Sequence, residues 1–527
     1  MRVVFPPGRN HHRPDAVDER KISLLMPATF SFGNIRFDLS PGSDPARARR
    51  DPDSPFRLAV LGDFTGRSSR GVLEPLGSRR PMPVDCDNFE AVMKRMGAVV
   101  RWPAPGASIE ARFESLEDFH PDQFIPRIDP LAALARTRDR LRNPATADSA
   151  VAEARHLLIA PQESVASTAP SGSGAESIQE TMARLLGGSP PPESPANKPT
   201  ADGIDLNALI KNIVAPSVVP GATPEQMAAL AAVEAELTAR LRAFLNHPHF
   251  QAVEGLWRGL DLLVREHGGE ENIKLFALDV SKEELVAEVR AQEDLRQSAF
   301  CRALGEQGWS ALLGAFIFDD TVGDVETLGR LAKIAAFHGA AFVAGASPHF
   351  IGCDSFTLHP DPADWTRRMS TETGTAWAAL RALPEAKHLG LVLPRVLLRQ
   401  PYGKGSDPID TFPFEEMPSE AMHESFLWSN GAFVTSRLLA DKFRAEGWEM
   451  MVGGAGELDD LPVFKFVEDG ETRVKPCAEA WLSERTGERI MEQGLMPLLS
   501  VKGRGAVRLA GLQSVAQPLA ALSIQRR

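Results

Sequence analysis

The sequence predicts an α/β protein: a small α+β domain, a linker, and then a larger α/β domain with a mixed, mostly parallel sheet. Three observations carry this. From Ile273 to Ala346 strand-like and helical apolar patterns alternate, as they do when helices cover the faces of a parallel sheet. Just ahead of that alternation, FLNHPHFQAVEGLWRGLDLLV (244–264) is the densest helical stripe in the chain. Between 161 and 200, Ser, Pro, Gly and Ala dominate, which marks a linker and divides the chain in two.

Residues 1–30 mix Pro, His, Arg and Asp without a period and read as a flexible arm. The small domain is expected over 31–142. Phe32, Ile35 and Phe37 begin a strand, and FRLAVLGDF (56–64) is a buried strand ending at Gly62. Asp87 and Asn88 start a helix whose face carries Phe89, Val92, Met93 and Met96, with Gly97 as its stop. Alternating Ile109, Ala111 and Phe113 predict a further strand, and Leu131–Leu141 a helix. The linker spans 143–203 and holds one short helical pattern, 178–186. As a flexible coil, its roughly 40 most polar residues would span on the order of 35 Å.

The larger domain, 204–527, opens on an amphipathic helix (206–214) closed by Pro216, and Pro224 starts another through Leu241. In the central helix Pro248 suits the first turn, and Phe250, Val253, Leu256, Trp257, Leu260, Leu263 and Val264 recur at three- and four-residue spacings. Such a stripe must be buried, and it is expected to pack on a sheet supplied by the segments that follow it, with an adaptor or separate domain before it. IKLFALDV, KEELVAEVRAQ, WSALLGAFIF, VETLGRLAKIAAF and AAFVAGA then alternate, and 389–393, 437–443 and 463–466 add strand, helix and strand.

A net charge of −12 over 527 residues argues against nucleic acid or an anionic membrane surface as the main partner. No apolar run approaches the roughly 20 residues that cross a bilayer, and the N-terminus has no apolar core of a secretory signal. The four cysteines, Cys86, Cys301, Cys353 and Cys477, form no CxxC pair, which fits reduced thiols in a cytoplasmic protein.

The usual catalytic patterns fail one by one. GGAGEL (453–458) and GKGSD (403–407) lack the spacing of a phosphate loop or a dinucleotide fingerprint, and GASPHF (345–350) lacks the second glycine of a nucleophile elbow. His247 and His249, two apart on a helix, diverge by about 200°, so helix packing explains them better than metal binding. Asp319, Asp320, Asp324 and Glu326 precede or begin a helix, where acids favour the positive end of the dipole. LGDFTGR (61–67) is expected to hold a structural salt bridge, and Cys353 has no partner base at a readable spacing. No catalytic residue, cofactor site or metal site is assigned.

PFRLAVLGDFTGR (55–67), DCDNFEAVMKRM (85–96) and ARFESLEDFHPDQF (111–124), in this order and spacing, resemble the small contractile-sheath subunit of bacterial type VI secretion systems. The central helix stretch, LFALDVSKEEL (275–285), the run 314–348, PYG…PFEE (401–416), FLWSNGAF (426–433), the run 474–499 and GLQSVAQP (511–518) look like the large subunit. The chain therefore resembles a fusion of the two. The motif positions carried over, as interaction or structural residues, are Gly62, Asp63, Phe64, Arg67, Asp87, Asn88, Phe89, Phe119, Phe250, Glu254, Trp257 and Arg258.

The resemblance implies a structural role in the bacterial cytoplasm. Small and large subunits of that family pair, and the pairs stack in helical rows around an inner tube of ring proteins on a baseplate; contraction ejects the tube, and a Clp-type AAA+ ATPase dismantles the spent sheath. It implies no nucleic-acid partner and no membrane insertion. By the same resemblance the helix of Leu206, Leu209, Ile210 and Ile213 stands where the ATPase is engaged, and NIRFDLS (34–40) stands where an edge strand is donated to a neighbour. The family's large subunit continues beyond GLQSVAQP, whereas this sequence stops at Arg527. Two expectations follow, a fused protomer that polymerises or an accessory protein that caps or regulates a sheath, with an α/β enzyme as the third.

Overall fold

The computed structural model describes residues 29–32, 35–38, 53–74, 76–104, 107–159, 222–417, 423–468 and 470–524. The helical patterns expected at 178–186 and 206–214 lie outside the described residues, as do residues 1–28 of the arm. One compact unit, confined to the N-terminal residues, contains a hairpin of β1 (Thr29–Phe32) and β2 (Ile35–Asp38), with Phe30 opposite Phe37 and Phe32 opposite Ile35.

The second unit is built on a nine-stranded sheet. Its strands are β3 (Phe56–Gly62), β4 (Met82–Val84), β7 (Ile273–Asp279), β8 (Ala311–Phe318), β9 (Ala341–Ala346), β10 (Leu389–Leu393), β13 (Gly456–Leu458), β16 (Met496–Ser500) and β17 (Val507–Leu509), in the order β4-β7-β3-β8-β9-β10-β16-β17-β13. The six from β7 to β16 are parallel, and the antiparallel pairs fall at the two edges. Short pairs complete the strands: β5 (Ala98–Ala104) with β6 (Ala107–Phe113), β11 (Val396–Leu397) with β12 (Trp428–Ser429), and β14 (Phe464–Glu468) with β15 (Glu471–Lys475).

Helices of two turns or more are α1 (Phe89–Met96), α2 (Asp129–Arg142), α3 (Ala147–Ile159), α4 (Pro224–Leu245), α5 (Pro248–His267), α6 (Lys282–Ala291), α7 (Val322–His338), α8 (Thr371–Arg381), α9 (Ala432–Glu446) and α10 (Glu484–Glu492). Their starts follow local chemistry. Thr223 and Ser281 close capping boxes with Gln226 and Glu284, and Pro224 and Pro248 occupy first-turn positions whose backbone needs no donor.

The α/β class stands, but the two parts are joined more intimately than two domains on a linker. β3, from the first part, lies between β7 and β8 of the second and pairs with both along its length. The central helix α5 accordingly packs on earlier residues as well as later ones, touching β5, β7, β12 and α9. The reason is burial: Phe56, Leu58, Ala59, Val60 and Leu61 are all fully buried, which requires cover on both faces and neighbours on both edges. Within the expected linker, residues 147–159 are helical and pack on α2 and α4 through Ala147, Ala150, Val151 and Ala154.

Candidate functional site

The motif aromatics of both parts meet where α5 crosses the end of β3. A Cβ on Gly62 would lie 2.6 Å from a Leu256 methyl, so any larger residue would force the Leu256 side chain to move where strand and helix meet. Trp257 is fully buried, its indole Nε1 donates to the carbonyl of Phe64 at 3.0 Å, and its ring meets Phe64 and Phe89 edge-on at 4.8 and 5.8 Å. About two turns away on α5, Phe250 packs edge-on against Phe113 and Phe119, which stack on each other at 4.5 Å. Five of the predicted positions thus fall in two aromatic groups of one hydrophobic core, Phe64, Phe89 and Trp257 in the first and Phe119 and Phe250 in the second, which together make an aromatic junction along α5; each such ring removes roughly 150–250 Å² from water.

The polar motif residues settle around it. Asp63 does not pair with Arg67, as a salt bridge inside LGDFTGR would require; its carboxylate accepts the backbone N–H groups of Arg67 and Ser68 at 2.6 and 2.8 Å. The Arg67 guanidinium turns instead to Asp279 at the end of β7, 2.8 Å, and to Glu74, 2.7 Å. An acid in the turn serves orphan backbone donors first, which frees the arginine to tie the first part to the second. Asn88 stands at the start of α1 but does not cap it: its Oδ1 accepts from Asp85 N, and the Asp85 carboxylate accepts from the backbone of Asp87 and Asn88.

Glu254 and Arg258 open a buried charge clamp. Glu254 is fully buried and accepts from Arg258 Nε at 2.8 Å and Arg399 Nε at 2.8 Å, while Arg399 also grips Glu416 at 2.7 Å. Burial pushes the Glu254 carboxyl up, yet the guanidinia of Arg399 and Arg258 outweigh it and hold it below the ordinary carboxylate range. Tyr402, the one tyrosine in the chain, lies under the Arg399 guanidinium with 4.2 Å to its ring centre; burial pushes its hydroxyl up, so it stays protonated. Sequence reasoning missed Arg399, Glu416 and Tyr402 as site residues, although PYG…PFEE had marked their neighbourhood.

The other candidates separate from this junction. Among the described residues, Asp319, Asp320 and His349 are the one group whose potential ligand atoms lie within 4.8 Å of each other. Each is already engaged: His349 Nδ1 lies 2.7 Å from Asp319, and Arg367 reaches Asp320 at 3.1 Å, setting a cation where a metal would sit. Asp324 lies in the first turn of α7, as the dipole argument expects, and pairs with Lys282; Glu326 pairs with Arg330. The rings of His247 and His249 are 5.4 Å apart at the start of α5. Cys353 is buried, and burial pushes its thiol up to about 11. Residues 403–407 form a tight turn closed by Gly403 N to Asp407 O, and 456–458 form β13. Leu206, Leu209, Ile210 and Ile213 lie outside the described residues. No described helix is long and apolar enough to cross a membrane.

A sheet completed by a strand from a distant part, then locked by aromatics and a sealed charge clamp, defines a two-part structural subunit. Residues 227–516 match the family described as "EvpB/VC_A0108, tail sheath N-terminal domain", and residues 34–160 match "Type VI secretion system, VipA, VC_A0107 or Hcp2". The larger match alone covers more than half of the chain, and the protein belongs to the type VI secretion tail-sheath family. Two proteins of Pseudomonas aeruginosa are similar to it. Type VI secretion system sheath protein TssC1 is 32% identical over 303 residues, 55% of this chain and 61% of that protein. Type VI secretion system sheath protein TssB1 is 29% identical over 103 residues, 18% of this chain and 59% of that protein. The chain thus spans about three fifths of the length of each of these relatives. The likeness to a small and a large sheath subunit in one chain, read first from motifs, is confirmed.

Proposed function

We propose that the chain is a two-part sheath protomer, which polymerises helically around an inner tube of ring proteins and drives its ejection by contraction. The observation that carries this reading is the position of β3: the small-subunit part is an inner strand of the large-subunit sheet, so one chain holds the paired unit that would otherwise need two. A protomer of this kind repeated through a non-closing contact builds a filament, and two packings of that contact supply a stroke. The baseplate and a Clp-type AAA+ ATPase are the further partners of this reading, in the bacterial cytoplasm. Its chemistry is mechanical, with no catalytic residue assigned.

The lateral contact we assign to the hairpin β1–β2. A two-stranded hairpin is marginal by itself, and its apolar residues recur at every second position, so a neighbour's sheet edge is the partner that would satisfy it. Electron microscopy of the purified chain with its tube ring protein is expected to show hollow ribbed tubes. Ile35→Pro, which removes a strand donor, is expected to abolish them while leaving the thermal transition of the rest unchanged. Monodisperse particles from the parent chain under every condition would overturn the polymerising protomer in favour of an accessory role.

A further inference from the structure

Among the described residues three arginines are less than a tenth exposed, and two of them are paired. Arg138 is held by Glu234, and Arg399 by Glu254 and Glu416. The third, Arg381, is 8% exposed, and burial pulls its guanidinium below the ordinary value with no neighbouring carboxylate among the described residues to offset it. Arg381 is the last residue of α8, where the helix dipole favours a cation. That gain is modest beside the cost of taking an unpaired charge out of water.

The surroundings hold one side of the guanidinium and leave its end open. Nε donates to the carbonyl of Val515 at 2.8 Å, and the carbonyl of Arg381 accepts from Gln517 N at 2.8 Å, so the segment after β17 fixes the residue at both ends. Gly494, at φ +85°, stands against the other side: a Cβ there would lie 3.0 Å from Nη2 and 3.3 Å from Val515. The glycine keeps the recess from being filled by a side chain of this chain. Nη1 and Nη2 have no hydrogen-bond partner among the described residues, and neither is sealed from solvent.

With Nε committed, the free donors are the end-on pair Nη1 and Nη2, whose parallel N–H groups match the two oxygens of a carboxylate. One guanidinium in a narrow recess suits a monoanion better than a phosphate group, which carries more charge and three strong acceptor oxygens. Gln517, Pro518 and Leu519 follow on the same segment and are exposed, Leu519 by half, so the charge is flanked by surface that a polypeptide would cover.

We propose that Arg381 is an anion site that takes an Asp or Glu side chain of a protein partner, end-on through Nη1 and Nη2. The partner supplies the counter-charge that Glu234 and Glu416 supply to the other two buried arginines. The site does not rest on the sheath reading, since an accessory protein that forms no tubes would present the same recess.

A structural arginine and a binding arginine respond differently to removal. Arg381→Met occupies similar space without a charge, so in chloride buffer its thermal midpoint is expected at or above that of the parent. A clear drop would make Arg381 a structural residue and overturn the proposal. Sodium formate, a carboxylate alone, is expected to raise the parent's midpoint saturably relative to chloride at equal ionic strength and to leave Arg381→Met unmoved. Arg381→Lys keeps the charge without the fork and should retain about half of that rise at most. In the parent alone, phenylglyoxal labelling of Arg381, followed by peptide mass spectrometry, should slow severalfold in formate, while exposed Arg485 labels at an unchanged rate. Equal labelling of Arg381 in formate and chloride would overturn the carboxylate site. Protection by inorganic phosphate at lower concentration than formate would overturn it too, and would reassign the recess to a phosphorylated ligand.

Discussion

Two charged regions of this molecule look alike in sequence and differ in construction. At the clamp the side chains of Glu254, Glu416 and Arg399 are 0, 1 and 6% exposed, and each charge is matched by direct hydrogen bonds inside an apolar shell. At the rim, where β8 and β9 end, Asp319, His349 and Arg367 are 43, 28 and 36% exposed, and of the paired groups there only Asp320, at 5%, is covered. Water screens the rim, so its geometry can loosen at little cost; the clamp has no such relief. The rim also lies beside the carboxyl ends of parallel strands, where doubly wound sheets commonly bind ligands. At those ends Thr65 and Arg67 donate to Asp279, and Lys282 to Asp324. The demanding chemistry of the chain is spent on joining its two parts.

Replacing one clamp charge should therefore have the largest effect. Arg399→Met leaves Glu416 without its guanidinium and Glu254 with Arg258 alone, both in the core, and is expected to destabilise the fold by about 3–5 kcal/mol. Urea denaturation measures it; a loss below about 1 kcal/mol would mean that water reaches the clamp and that the contrast with the rim is false.

Acid gives the next, smaller effect. Burial pushes the Asp122 carboxyl up, but hydrogen bonds from Asp410 and Thr411, together with nearby His120, outweigh it and hold it below its ordinary value of 3.8; Glu254 is likewise held below its ordinary value of 4.5. Carboxyls depressed in the folded state stabilise it fully above those ordinary values, and the contribution is lost as pH falls through the folded ones. These carboxyls should thus add a decline in the urea midpoint below about 4.5, beyond the loss that His247 and His267, held by burial below their ordinary 6.5, begin nearer neutral pH. In Arg399→Met the acid decline should shrink, because Glu254 has lost the cation that does most to keep it ionised. An undiminished decline would locate the acid sensitivity elsewhere.

How much of this could be read in the sequence follows from the range of each interaction. The alternating strands and helices from Ile273 onward were legible because parallel strands buried on both faces are continuous apolar runs, and α5 because its stripe recurs within one helix. Of the aromatics in the junction, Phe250 and Trp257 belong to that stripe, whereas Phe119 was marked by the family resemblance alone. The resemblance also marked Glu254 and Arg258, but not their partner Arg399, which lies 145 positions from Glu254, and Asp122 looks like an ordinary first-turn acid. Helix α3 was hidden because alanines form much of its buried face and give little hydrophobic contrast, and β5 because Pro103 argues against a strand interior. The place of β3 in the sheet is a matter of strand order, which no single strand encodes, although the run FRLAVLG, apolar and buried on both faces except at Arg57, fits an inner position better than an edge.

The smallest expected effect completes the contrast. Arg367→Ala removes the guanidinium beside Asp320 and Asp354, at distances of 3.1 and 3.4 Å. Those acids keep other routes of compensation: Asp354 is exposed, and Asp320, although covered, has His349 Nδ1 at 3.9 Å. The loss should be about 0–1 kcal/mol and should shrink further as salt is raised to 0.5 M, since exposed pairs are screened within roughly 4–5 Å at that ionic strength. Urea denaturation of parent and variant at two salt concentrations measures both quantities. A loss approaching that of Arg399→Met, insensitive to salt, would show that the rim is a second buried lock, and the division of this molecule into one sealed joint and one solvated rim would have to be withdrawn.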